Sequence, residues 1–300
     1  MRVLVTGATG FIGRNLVARL INPVVLSRDA ARARAALGEV AAHPWHPEAG
    51  TPPAEAFRGV EAVVHLVGDP IDRGRWNDDK RRRIRDSRVL GTRHLVTALE
   101  GLKARPRVLV AGSAVGFYGS RGDEILDETA PPGHDFMADH CVEWEKEANR
   151  ARELGIRVVN LRTAPAYGRG GGVLAKMLLP FSLGLGGRLG TGRQYMAWIH
   201  LDDLLGLILH VLDREDVAGP LNACAPHPVT NAEFTRALAA AVHRPAFFPV
   251  PEFALRLAFG GVAEVMLASQ RVVPAAALKS GYSFRHPEIW EALKAAVSGQ

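Results

Sequence analysis

Short, unbroken apolar runs recur along the first 165 residues. Val3-Leu4-Val5, Val24-Val25-Leu26, Ala62-Val63-Val64 and Val108-Leu109-Val110 are followed by a fifth run between Ile156 and Arg162. Runs without alternation mark strands buried on both faces, as in a parallel sheet covered by helices. The stretches between them, roughly 75–100 and 136–154, carry helical periodicity. In the first, Ile84, Ser87, Gly91, Leu95, Ala98 and Leu102 form a stripe of packing residues. Strand and helix in alternation predict an α/β fold: a doubly wound parallel sheet with right-handed crossovers. Ligands of such sheets lie beyond the carboxyl ends of the strands.

From about residue 166 the pattern changes. Gly168–Gly172 and Gly184–Gly190 are glycine-rich loops with no Lys-Ser/Thr after them, so neither is a P-loop. They read either as a lid over a crevice or as surface turns. A helix is expected from Trp198 through His210. Thr230-Asn231-Ala232-Glu233 reads as a capping box opening a helix to Val242. Pro245 to Pro251 is an extended connector, and a last helix is expected near Pro287 to Val297. The division is 1–165 for the sheet domain and 166–300 for a smaller, discontinuous α+β domain, with about 200–225 returning to the sheet.

The strongest local signal is Gly7-Ala8-Thr9-Gly10-Phe11-Ile12-Gly13. It follows an apolar strand and opens a helix through Leu16, Val17 and Leu20, expected to end near Ile21-Asn22. In that context the glycines permit a tight turn, a close approach by a pyrophosphate and close helix–strand packing. Free N–H groups at the helix start then receive the phosphates. The second strand ends at Ser27-Arg28, where a site for NAD would place an acid on the ribose 2′-hydroxyl. A hydroxyl and a guanidinium suit a 2′-phosphate, so NADP is favoured over NAD. Arg14 is a second phosphate candidate, and Asp29 is the residue that could reverse the choice.

Composition changes this picture little. The chain has 300 residues, 47% hydrophobic and 23% charged, which excludes a disordered chain or a disulfide scaffold. Cys141 and Cys224 lack zinc-site spacing and suit a reducing compartment. No apolar run reaches spanning length and no leader is visible, so the expected location is cytoplasmic, without membrane contact or a metal centre. The net charge is +6. In the run Lys80-Arg81-Arg82-Arg83-Ile84-Arg85 the arginines read as mostly a solvated face, since the other face of the helix carries the packing stripe. No nucleic-acid recognition motif accompanies it.

MRVLVTGATGFIGRNLV, the HLVG strand end, SAVGFYG, LRTAPAYGRGGG and WIHLDDL together resemble an extended short-chain dehydrogenase/reductase of the NAD(P)-dependent epimerase/dehydratase family. The tail GPLNACAPHPVTNAEF…RPAFFPVPEFALRLAFG is similar to an epimerase-like subgroup, related to nucleoside-diphosphate-sugar epimerases, that carries its own C-terminal domain. The resemblance implies a Rossmann-type domain, NADP(H) and a substrate domain. Carried over by motif, the cofactor contacts are Gly7, Thr9, Gly10, Phe11, Ile12, Gly13, Ser27 and Arg28. Leu66, Val67, Gly68, Arg88, Ser113 and Ala166 complete them.

The catalytic residues do not carry over. The family uses a Ser or Thr four residues before the Tyr of its Tyr-Gly pair, and a Tyr-x-x-x-Lys on the next helix. Here Ala114 holds the first slot, with Ser113 one residue early. Cys141 stands where the tyrosine is expected and Glu145 where the lysine is expected. Ser113 and Tyr118 are the remaining candidates. Two functions stand: an NADP-dependent oxidoreductase or epimerase-like enzyme acting on a small molecule, with a homodimer compatible, or a catalytically silent NADP(H) sensor. The enzyme is favoured.

Overall fold

A computed structural model describes residues 1–71, 74 and 76–298. The chain opens with β1 (Val3–Thr6), α1 (Phe11–Val17), β2 (Val24–Ser27), α2 (Ala30–Leu37) and β3 (Ala41–Pro44). Next come β4 (Ala62–His65), α3 (Asp78–Glu100), β5 (Val108–Ala114), β6 (Ile125–Leu126), α4 (Phe136–Asn149) and β7 (Arg157–Thr163). The remainder starts with β8 (Ala166–Tyr167), α5 (Gly172–Ser182), β9 (Tyr195–Met196) and β10 (Ile199–His200). It continues through α6 (Leu201–Asp213), β11 (Gly219–Ala223), β12 (Val229–Thr230) and α7 (Asn231–Ala241). It ends with α8 (Glu252–Phe259), α9 (Val262–Leu267), β13 (Arg271–Val272), α10 (Ala275–Lys279) and α11 (Ile289–Ser298).

Seven strands form one parallel sheet in the order β11-β7-β5-β4-β1-β2-β3. The apolar runs lie where a doubly covered sheet needs them: Leu4, Val5, Val63, Val64, Leu109 and Val110 are fully buried. Each such side chain contributes about 1.5–3 kcal/mol relative to exposure. The winding direction reverses between β1 and β4, and beyond the carboxyl edge of such a switch point lies the crevice that takes ligands in sheets of this kind.

α6 and β11 join the sheet lobe, with Leu204, Leu207, Ile208 and Val211 in its core. A second core, built from Tyr167, Phe181, Trp198, Phe234, Leu238 and Leu293, unites α5, α7 and α11. The lobes are stitched: β13 pairs with β6 in parallel, and Tyr282 and Phe284 pack on the sheet core. Among the described residues no helix is long and apolar enough to cross a membrane.

Several boundaries differ from the sequence reading. The first helix stops at Val17, not near Ile21-Asn22. The next amides bond three residues back, Arg19 to Leu16 and Leu20 to Val17, tightening the chain, and Asn22 takes a left-handed φ of 50° to turn into β2. The stretch 136–154 is α-helical to Asn149 and then narrows to a 3-10 turn. The helix expected from Trp198 begins at Leu201, because Ile199-His200 pairs with Ala166-Tyr167. α3 starts at Asp78 under an Asn77 cap; Arg75, where the expected helix began, lies outside the described residues. In the basic run Arg82, Arg83 and Arg85 are exposed, whereas Lys80 is buried, its ammonium held by Asp69 and the Pro70 carbonyl. The Gly184–Gly190 loop is bridged to the connector, with Gly190 N–H on Val250 O at 2.9 Å and Val250 N–H on Arg188 O at 2.8 Å.

Candidate functional site

At the end of β1 the chain turns on Gly7 (φ +67°), whose backbone lies against that of Leu66 and Val67. A Cβ there would stand 2.6 Å from Leu66 O. A Cβ on Gly13 would stand 2.7 Å from Ala8 Cα, so α1 approaches β1 as only glycine allows. Gly10 starts α1 without a side-chain cap, and Thr9 and Gly10 are exposed on the crevice side of the turn. Phe11 and Ile12 pack partly into the sheet core, and Ala166 lies at its rim. Arg14 donates to Gly170 O, which ties the first glycine loop to α1.

The end of β2 bears on the cofactor choice. Ser27 and Asp29 bond each other through the serine hydroxyl and the Asp29 backbone, and the Asp29 carboxylate caps α2 by accepting from Arg32 N–H at 2.8 Å. Arg28 is exposed and makes no hydrogen bond or ion pair with the described residues. The acid is therefore engaged and the guanidinium free.

The crevice floor is a buried polar relay. Thr6 and His65 end neighbouring strands in register. Thr6 Oγ1 lies 2.8 Å from His65 Nδ1, and His65 Nε2 lies 3.1 Å from Thr92 Oγ1, which also accepts from Trp144 Nε1 at 2.9 Å. Burial pushes the His65 pKa down to about 3. The unfolded histidine takes a proton near pH 6.5 and the folded one only near 3, so this stability is complete above 6.5 and drains as pH falls toward 3. About 2 kcal/mol is lost from this group by pH 5. Denaturant titrations at pH 7 and pH 5 should show a steeper acid loss in the wild type than in His65→Asn. Equal losses would remove His65 as the cause.

Beside the relay, Arg88 lies against Gly68 and over the Trp144 ring at 5.4 Å, and donates through Nη1 to Asp69 O and Ile84 O at 3.0 and 3.1 Å. Burial lowers its pKa.

Three residues in register across adjacent strands make the deepest part of the site: Ser113 on β5, Arg162 on β7 and Asn222 on β11. Arg162 grips Glu145 of α4 with two bonds, Nε to Oε1 at 2.8 Å and Nη2 to Oε2 at 2.9 Å. Ser113 Oγ donates to the same carboxylate at 2.7 Å. Arg162 Nη1 donates to Tyr118 OH at 3.0 Å, and that hydroxyl donates to Asn222 Oδ1 at 2.7 Å. The guanidinium also stacks 3.4 Å from the Phe117 ring centroid. Burial works against the Arg162 charge, but the bonds from Glu145 more than offset it and hold its pKa above the ordinary value.

Tyr118 is wholly buried, and burial pushes its hydroxyl up to about 12 against the opposing pull of Arg162. Burial, and then Glu145, push the Cys141 thiol up to about 12 as well. The cation beside Glu145 on α4 is Arg162 of β7, paired with that carboxylate. Ser113 and Cys141 meet at the crevice, whereas Tyr118 reaches it only through Arg162. Arg162 and Asn222 were not singled out from the sequence. The available signal was a charged residue ending an otherwise apolar strand, with an acid in the helix slot of a lysine.

Residues 3–224 match the model of the NAD dependent epimerase/dehydratase family, and residues 250–296 match a domain of unknown function. An epimerase family protein of Mycobacterium tuberculosis is 41% identical over 294 residues, covering 97% of this chain and 96% of that protein. The crystal structure of human epimerase family protein SDR39U1 with NADPH aligns with a TM-score of 0.87 at 33% identity, covering 100% of both chains. That of a nucleoside-diphosphate sugar epimerase from Corynebacterium glutamicum aligns with a TM-score of 0.81 at 32% identity, over 100% of this chain and 59% of that one. The strand order, the glycine turn and the extent of these matches agree: the chain belongs to the NAD dependent epimerase/dehydratase family.

Proposed function

We propose that the crevice takes NADP(H), with the pyrophosphate at the β1–α1 turn and the 2′-phosphate at Ser27 and Arg28, and that the protein is an oxidoreductase or epimerase-like enzyme for a small molecule. The observation that carries the cofactor reading is the free Arg28 guanidinium beside an Asp29 already engaged as a cap. Phosphate pairs well with such a planar fork of donors. The close backbone packing at Gly7 and Gly13, which sets the exposed start of α1 at the end of β1, supports it, as does NADPH in the structure of the human relative.

The cofactor would supply a hydride there. Ser113 has its proton committed to Glu145, so Oγ offers lone pairs to whatever lies over β5. Arg162 holds Glu145 in place, and Tyr118 positions Arg162. Cys141 and Tyr118 keep their protons at neutral pH. They are therefore poor bases for alcohol oxidation, while a developing alkoxide is more basic than either, which favours the reductive direction. The same lack of a poised base favours a second reading, a cofactor-binding sensor without turnover.

Fluorescence titration of the full chain with NADPH and NADH should show tighter binding of NADPH. NADPH oxidation would then be followed against carbonyl and nucleotide-sugar panels. In a turning-over enzyme, Tyr118→Phe lowers the rate by about tenfold or more with cofactor affinity retained; an unchanged rate removes Tyr118 from the mechanism. Binding without turnover selects the sensor. Folded protein that takes up neither coenzyme overturns the cofactor reading.

A further inference from the structure

The amino end of α6 meets the returning C-terminal segment away from Ser113. His200 ends β10 and caps α6, its Nδ1 accepting from Asp202 N–H at 3.2 Å. The buried Asp203 carboxylate accepts from the backbone N–H of Arg285 at 2.7 Å and of His286 at 2.9 Å. Those bonds fix the segment so that the His286 ring lies over His200, with centroids 3.9 Å apart. Asp202 turns Oδ2 toward His200 Nδ1 at 3.7 Å while its Oδ1 is held by Arg19 of the chain following α1. One ligand atom from each of His200, Asp202 and His286 lies within 4.8 Å of the other two.

We propose that His200, Asp202 and His286 bind a divalent transition-metal cation of the zinc type, with water in the fourth position. Two imidazoles and a carboxylate are a zinc donor set, whereas magnesium and calcium select oxygen ligands. Ligand atoms on a tetrahedral zinc stand about 3.3 Å apart. The 3.7 Å separation is near that already; the metal would take the Nδ1 lone pair in exchange for the long Asp202 N–H bond, and the part-buried His286 would turn off the His200 ring to bring its own nitrogen in. Arg19 fixes one carboxylate oxygen and leaves the other for the metal, the arrangement that supporting residues give ligands elsewhere. Its charge also sets a ceiling on affinity. The site would staple the C-terminal segment to β10, α6 and the end of α1, so its effect falls on stability.

Tag-free full-length protein, stripped with EDTA, would be titrated with zinc chloride by calorimetry and with cobalt(II) by visible absorption. One equivalent of zinc, a tetrahedral cobalt spectrum and a Tm rise of about 5 °C at hundredfold excess over Kd are expected. His286→Ala leaves the Asp203 backbone bonds intact and should lose affinity about tenfold or more, which at the same zinc concentration cuts the Tm rise to about half or less. Asp202→Asn, at a part-exposed position, gives a second weakened variant that preserves packing. His227→Ala removes an exposed histidine paired with Glu288 at 2.6 Å and should bind as the wild type does. Substoichiometric binding, unchanged affinity in both His286→Ala and Asp202→Asn, or loss in His227→Ala would overturn the assignment.

Discussion

Arg28→Asp raises the Kd for NADPH about 100-fold and leaves that for NADH within about threefold of wild type. Arg28 has no protein partner among the described residues, so its removal disturbs no bond of the fold, and the whole effect falls on the ligand. A guanidinium facing a 2′-phosphate makes charge-assisted bonds. An aspartate there removes them and adds repulsion against the same dianion. Toward NADH it is no handicap, since a carboxylate accepts from the ribose 2′-hydroxyl. Asp29 does not compensate, because it stays on the α2 amides. The site is exposed, so the wild-type preference for NADPH should narrow as salt is raised. Calorimetry with both coenzymes at two salt concentrations checks this. Equal losses for both, or a preference indifferent to salt, would place the 2′-phosphate elsewhere.

The β1–α1 turn was legible because everything it requires is local. Val3-Leu4-Val5, the glycine spacing and Leu16 lie within one supersecondary unit, and each glycine has a steric reason that spacing alone exposes. The departures at Cys141 and Glu145 were legible for the same reason: both fall in one short helical motif. What Glu145 does instead was not, because its partner is fixed by tertiary register. Arg162 reaches Glu145 only once β7 pairs with β5 so that Ser113 and Arg162 stand side by side. Lys80 opens a run of arginines, and only its contact with Asp69 and Pro70, which lie outside the helix, sets it apart from them by drawing it inside. His286 and His200 are far apart in sequence, brought together by a buried Asp203 that reads locally as an ordinary acid at a helix start. Period and spacing reveal elements and local turns; pairs that arise where strands or lobes meet follow from packing.

The buried Arg162–Glu145 pair arises where strand and helix meet in this way. Arg162→Met costs about 3–5 kcal/mol and lowers Tm by about 8 °C. The two side chains are nearly inaccessible, at 5% and 9% exposed, so Glu145 would lose two charge-assisted bonds and keep the Ser113 hydroxyl. Tyr118 would lose the donor to its oxygen, and the Phe117 ring its stacked cation. Shape is not the cause, since methionine fills most of the volume. The diagnostic variant is therefore Arg162→Met combined with Glu145→Met, which removes both charges and leaves an apolar contact. Replacing a whole buried pair is often close to neutral, so the double variant should recover more than half of the loss despite the stranded Ser113 hydroxyl. The resulting coupling energy is about 2 kcal/mol or more. Urea denaturation of the two single variants and the double variant measures it. Additive losses would mean that each side chain stabilises the fold separately, and Arg162 would lose its role in holding Ser113 in the site.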